Sequence, residues 1–211
     1  MNNKALETTV LVLPYAVWMA LMMLLPSTAP AYAVRSAATL ACMLAGFAIC
    51  KRRGFKLEMP SLAQTFAGIA VGFAAWAIWV LPESFAWYQK FFVIGSAEAS
   101  GASPYDPAVC TWPLTLARLF GSAFVIAAAE ELFFRKWLYE WLGGRESRTA
   151  FLWMVALFAV EHNRWFVAAI AGAAYGFLAL RRGIASAIVA HATTNLVLGV
   201  QVILTGNWNF W

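Results

Sequence analysis

Long apolar runs separated by short polar breaks dominate this chain, and most of them approach the ~20 residues an α-helix needs to cross a bilayer. Seven such runs fall at roughly 8 to 25, 31 to 50, 61 to 81, 113 to 142, 149 to 163, 165 to 181 and 183 to 205. The fifth is short and polar-ended. The pattern predicts an all-α, polytopic transmembrane helix bundle of about seven spans, between six and eight. Residues 1–211 read as a single integral membrane domain, with no repeats, low-complexity tracts or second domain.

The polar breaks set the orientation. Lys51, Arg52, Arg53 and Lys56 follow the second run, Arg145 and Arg148 the fourth, and Arg181 and Arg182 the sixth. Alternating spans put these three loops on one side, and a Lys/Arg excess marks that side as cytoplasmic. The expected location is the inner (plasma) membrane, with multiple passes. The loop from Pro82 to Trp112 then faces outward. It carries Glu83, Glu98 and Asp106 against Lys90, and its Gly, Ser and Pro content predicts irregular structure.

Composition sharpens the picture. The chain is 63% hydrophobic and 12% charged with 11 Trp, outside the range of a soluble globular domain. Its net charge of +5 is distributed over the loop clusters, which argues against nucleic acid and leaves the lipid bilayer as the surrounding partner. Trp79, Trp112, Trp141, Trp165 and Trp208 sit near run ends and read as interfacial anchors. Arg35 and Arg118 lie within two turns of run ends, where they can snorkel, and are assigned no chemistry. Cys42, Cys50 and Cys110 are odd in number with no Cys-x-x-Cys pair, which supports neither a disulfide framework nor a zinc ribbon. The first run is longer than a signal-peptide core and its leading segment, with Lys4 and Glu7, has no net charge, so it reads as a retained helix.

Against this apolar background, Glu130-Glu131-Leu132-Phe133-Phe134-Arg135 stands out. Ionised groups in hydrocarbon cost a few kcal/mol or more each unless paired, so such a cluster is a functional-site hypothesis. Glu131 and Arg135, four apart, share a helical face and form an expected structural ion pair, while Glu130 points about 100° away and is left for chemistry. Alternatively, both carboxylates pair with Arg135 and Lys136 near a membrane edge. Glu130 lies 13 residues before Gly143, close to 20 Å at ~1.5 Å per residue, which is deep for snorkelling.

Two histidines fall at matching depths. The fourth and fifth runs form a helical hairpin whose turn centres near residue 146, with Glu130 16 residues before it and His162 16 after. Glu161, Asn163 and Arg164 leave open that this is only an interfacial patch. In the last run, His191 and Asn195 are four apart on one face and span the depth of Glu130. The small-residue stretch Ala171-Gly172-Ala173-Ala174-Tyr175-Gly176 lets helices approach closely between them.

A buried carboxylate, two histidines and an asparagine suit peptide hydrolysis. Glu130 can act as general base on a water that His162 holds, and His191 with Asn195 can donate to the developing oxyanion. No serine or cysteine is placed as a nucleophile. Glu130, His162 and His191 could alternatively bind zinc with an open position, although no His-Glu-x-x-His is present. The metal-free reading is the main one, so no cofactor is expected.

Glu130-Glu131-x-x-x-Arg135, Phe158-x-x-x-His162 and His191-x-x-x-Asn195, in this order, resemble the CPBP family of intramembrane proteases, which includes the Ras-converting CAAX prenyl endopeptidases and bacterial relatives, some described as bacteriocin-immunity proteins. The resemblance covers about residues 113 to 205, the motif-bearing core. It implies a glutamate-dependent, metal-independent endopeptidase in which Glu130 and His162 activate water and His191 with Asn195 form the oxyanion hole. Its expected substrate is a membrane-anchored protein or peptide. Counted from the basic loops, the site lies beneath the cytoplasmic surface and is expected to open toward the cytoplasm. Val160-Glu161-His162-Asn163-Arg164-Trp165 and the ending from Asn195 to Trp211 are similar to a bacterial CAAX prenyl protease-related subgroup found with exosortase and exopolysaccharide systems, for which a prenylated substrate is not expected. Two other readings stand beside this one. One is a non-catalytic peptide-binding or immunity-type protein of the same fold, and the other is a small proton-coupled transporter, which calls for inverted repeats that the chain lacks.

Overall fold

The computed structural model describes residues 3–53, 59–94 and 103–211, and their regular structure is entirely helical. Eight helices follow in order. They are α1 (Asn3–Leu24), α2 (Ala29–Arg52), α3 (Leu62–Val80), the short α4 (Ala86–Phe92), α5 (Trp112–Trp141), α6 (Arg148–Val160), α7 (Trp165–Arg182) and α8 (Ile184–Thr205). Lys56 and Glu98, counted among the loop charges, lie outside the described residues.

Local chemistry sets the boundaries. The Thr28 hydroxyl accepts from the Ala31 N–H to start α2, with Pro30 in the first turn. Ser61 and Gln64 form a reciprocal capping box at the start of α3. The hairpin turn between α5 and α6 needs left-handed backbone, which Gly143 (φ 119°) and Gly144 (φ 58°) supply.

Five helices, α1, α2, α3 with its 3-10 extension to Ser84, α5 and α8, are long and apolar enough to cross a membrane. The chain is an integral membrane protein. Of the seven expected runs, α6 has only 13 residues, about 20 Å at 1.5 Å per residue, which is shorter than a ~30 Å hydrocarbon core. α7 ends in Arg181 and Arg182 and is not among the five. These two pack as a hairpin against the spanning helices.

The helix ends sort into two faces. On one, Arg145 Nη2 donates to the Leu180 carbonyl (3.0 Å) and Gln64 Nε2 to the Arg182 carbonyl, while Glu7, Cys50, Lys136 and Ile184 line one small cleft. This is the face of the basic loops. On the opposite face, Arg164 pairs bidentately with Glu83, and the Ile94 N–H donates to the Asn163 carbonyl (2.7 Å). The outer loop is less irregular than its composition predicts. α4 forms there because Tyr88 is buried, and Phe92 packs on Trp165 and Phe166 at centroid distances of 5.3 and 4.6 Å.

Candidate active site

α5 is not a uniform α-helix. Two stretches, Gly121–Ile126 and Leu132–Leu138, adopt the wider π geometry, and the α-helical turn between them, Ala127–Glu131, carries both glutamates. Wide turns of this kind re-aim side chains and recur at functional sites. Gly121 opens the first and lets α2 approach closely: a Cβ there would sit 2.4 Å from Ser36 Oγ and 2.9 Å from the Tyr32 ring.

Glu131 is completely buried. Its Oε1 lies 3.1 Å from Arg135 Nη1 and accepts a 2.9 Å hydrogen bond from His191 Nδ1. Arg135 is held further by the Gly172 carbonyl (3.1 Å) and by the Phe158 ring, 4.1 Å from its guanidinium carbon. A Cβ on Gly172 would meet Phe158 at 2.7 Å, so the small-residue face of α7 seats this arginine against α6. Lys136 is exposed and lines the small cleft on the basic face.

Glu130 faces the other way. Its Oε2 is buried, has no hydrogen-bond partner among the described residues, and lies 3.7 Å from His191 Nε2. His191 is thus held between the two carboxylates, with its ring stacked on Tyr175 (4.9 Å, 19°). Tyr175 in turn donates to Thr194 Oγ1 (2.7 Å), which donates to the Gly72 or the Ala190 carbonyl. The approach of α3 to α8 that allows this contact depends on Gly72, where a Cβ would lie 2.6 Å from the Ala190 oxygen.

His162 sits in the turn after α6, beyond the helix end. Its Nδ1 lies 2.9 Å from the Phe158 carbonyl, an acceptor only, so Nδ1 carries the proton and Nε2 is the free acceptor nitrogen. Burial pushes its pKa down to about 4, because the imidazolium loses its water. The Phe158 bond acts in the opposite sense, and the charges of His191 and Arg135 add to the lowering. Asn195 Nδ2 donates one hydrogen to the Ser122 carbonyl (3.0 Å) inside the first π stretch, leaving a second hydrogen to give.

One cavity of about 410 Å³ is lined by Glu130, His162, His191 and Asn195 together, drawn from α5, the α6–α7 turn and α8. Glu131 and Arg135 are not among its lining residues and lie behind it. Among the described residues, no group of three His, Cys, Asp or Glu has the arrangement of a metal site. Several lining residues carried no sequence signal. Trp79, read as an anchor, packs edge-on to His162 at 5.6 Å. Tyr175 and Thr194 orient His191. Glu161, placed in an interfacial patch, also lines the cavity and accepts from the Tyr15 hydroxyl. Arg118, read as snorkelling, is instead stacked on aromatic rings at the cavity wall.

The cavity opens on the face opposite the basic loops, not toward them. Its exposed lining residues, Met22, Glu161, Asn163 and Asn209, all belong to that opposite end. On the basic side it is sealed by a packed cluster that includes Phe134, Leu138, Tyr139, Met154 and Leu178. Counting residues from Glu130 to the nearer loop gives its depth but not this plug, which is why the sequence pointed to a cytoplasmic opening.

Residues 112–197 match the family model described as type II CAAX prenyl endopeptidase Rce1-like. No curated protein and no solved structure matches the chain. The match begins at the first residue of α5 and ends just past Asn195 in α8, so it takes in Glu130, His162, His191 and Asn195. Over this motif-bearing part, the chain is similar to the Rce1-like family of type II CAAX prenyl endopeptidases.

Proposed function

We propose that this protein is a glutamate-dependent intramembrane endopeptidase that hydrolyses a peptide bond in a membrane-associated protein tail without a metal. The observation that carries the reading is the shared cavity of Glu130, His162, His191 and Asn195. Glu130 takes a proton from a water held by the free Nε2 of His162, and the resulting hydroxide attacks the scissile carbonyl. The oxyanion accepts hydrogens from His191 Nε2 and from the second Nδ2 hydrogen of Asn195, each such donor being worth roughly 3 kcal/mol in the transition state. Glu130 then passes its proton to the leaving amine. Arg135 compensates the fully buried Glu131 behind the cavity.

The orientation rule places the basic loops in the cytoplasm, so in an inner membrane the mouth of the cavity faces outward. The likeness of the Val160-to-Trp165 segment to the exosortase-associated subgroup favours a tail without a prenyl group. The test is digestion of a proteome-derived peptide library by the purified protein in detergent with excess chelator, read by mass spectrometry. Wild-type protein is expected to cleave and Glu130→Gln to bind without cleaving. Full activity in Glu130→Gln, or activity restored only by added zinc, would overturn the assignment.

A further inference from the structure

Arg118 lies three four-residue steps before Glu130 on α5, and Arg118, Ser122, Ile126 and Glu130 all line the cavity. Its guanidinium carbon is 4.1 Å from the ring centre of Tyr32, 4.9 Å from that of Tyr105 and 5.6 Å from that of Trp211. Arg35 stands over the same Tyr32 ring at 5.5 Å and over Trp18 at 5.4 Å. Two cations therefore share one aromatic cluster. Among the described residues, neither forms an ion pair, and the Nε atom of each is buried without a hydrogen-bond partner.

Among the described residues, two other arginines in sheltered positions are paired: Arg135 with Glu131 and Arg164 with Glu83. Aromatic faces attract a cation but carry no countercharge, so a desolvated guanidinium still favours an anion. Arg118 alone of the two reaches the cavity wall.

We propose that Arg118 is a specificity-determining residue that receives a carboxylate of the substrate tail. This rests on the endopeptidase reading above. Twelve residues separate Arg118 from Glu130, and the wide π stretch between them shortens the rise to below the roughly 18 Å of a straight α-helix, a span an extended peptide covers in about five residues. The carboxylate that Arg118 holds, whether the chain end or an acidic side chain, therefore lies within about five residues of the scissile bond on the side facing the mouth. A planar guanidinium suits a bidentate carboxylate, and its fixed place ahead of Glu130 sets the position of the cut.

The test compares one peptide library in three forms: untreated, amidated at the C-terminus only, and amidated at every carboxylate. In wild-type protein, full amidation is expected to raise KM about tenfold or more with kcat little changed, as loss of a charged hydrogen bond does. Cuts in the untreated library should cluster within about five residues of a carboxylate. C-terminal amidation alone tells the chain end from an acidic side chain. Arg118→Gln is expected to abolish the difference between forms, and Arg118→Lys to retain part of it. A wild-type enzyme indifferent to amidation, or a preference that persists in Arg118→Gln, overturns the proposal. So does a tightly bound phospholipid that copurifies with wild type and is lost in Arg118→Gln, since Arg118 then serves a lipid phosphate. Should wild type cleave nothing, the endopeptidase reading fails, and binding decides the inference alone. The probe is then acetyl-Leu-Ala-Val-Ala-Leu as free acid and as amide on Glu130→Gln protein, where equal affinity overturns it.

Discussion

Adjacent glutamates in one helical turn have opposite environments here, and that difference is testable residue by residue. Glu130 borders the cavity with an unbonded oxygen, so Glu130→Gln should leave the fold intact and lower kcat by about 10²–10⁴-fold, the usual worth of a general base. Arg135 compensates a carboxylate with no exposure at all, so Arg135→Met should destabilise the protein by about 3–5 kcal/mol, read as thermal unfolding in detergent. His162 makes a pH prediction. Its folded pKa of about 4 lies below the ordinary histidine value near 6.5, so it stays neutral down to about pH 4. Its contribution to stability is full above pH 6.5 and is lost as pH falls toward 4. An acid limb of kcat/KM near pH 6.5 that vanishes in His162→Gln would contradict this. The glutamates, histidines and Asn195 were legible because a polar residue in an apolar run is conspicuous. Arg118, Tyr175, Thr194 and Trp79 were not, since their cavity position depends on which rings and helices they meet.

Seven runs and their order could be read from hydropathy, and helices formed at each of them, but two features of the elements could not. The first is the pair of π stretches around Glu130. No residue type signals π geometry, and straight α-helix arithmetic from Arg118 to Arg135 passes over it. The second is the close pairing of α3 with α8. Gly172 and Gly176 belong to a recognisable small-residue stretch and pack α7 on α6, whereas Gly68 and Gly72 lie in an apolar run from which hydropathy does not set them apart. In Gly72→Ala the new Cβ would meet the Ala190 backbone oxygen at 2.6 Å, which no rotamer change relieves. Moving α8 displaces Thr194 and His191. The expected result is a loss of about 1–3 kcal/mol in stability together with reduced turnover, measured on the same purified sample. Normal activity and unfolding temperature in Gly72→Ala would show that this contact does not position the site.

At the scale of the whole molecule, polarity and function point to opposite faces. Basic loops gather at one end and the cavity mouth at the other, so Asn209→Cys, with Cys110 replaced, should react with a membrane-impermeant maleimide from outside intact cells, and Lys51→Cys only after permeabilisation. The reverse pattern would invert the proposed direction of substrate access. A residue count expresses the depth of Glu130 but carries no sign of the packed cluster around Phe134, Leu138 and Met154 that closes the shorter path. In the proposed mechanism, Glu130 of α5 and His162 of the α6–α7 turn, far apart in the chain, act on one water. Single-turnover cleavage by Glu130→Gln, His162→Gln and the double variant tests it most directly. If the two side chains work as a unit, the double variant should be within about tenfold of the slower single variant. If the two losses multiply, or if Glu130→Gln still turns over at the wild-type rate, the shared-water mechanism is wrong.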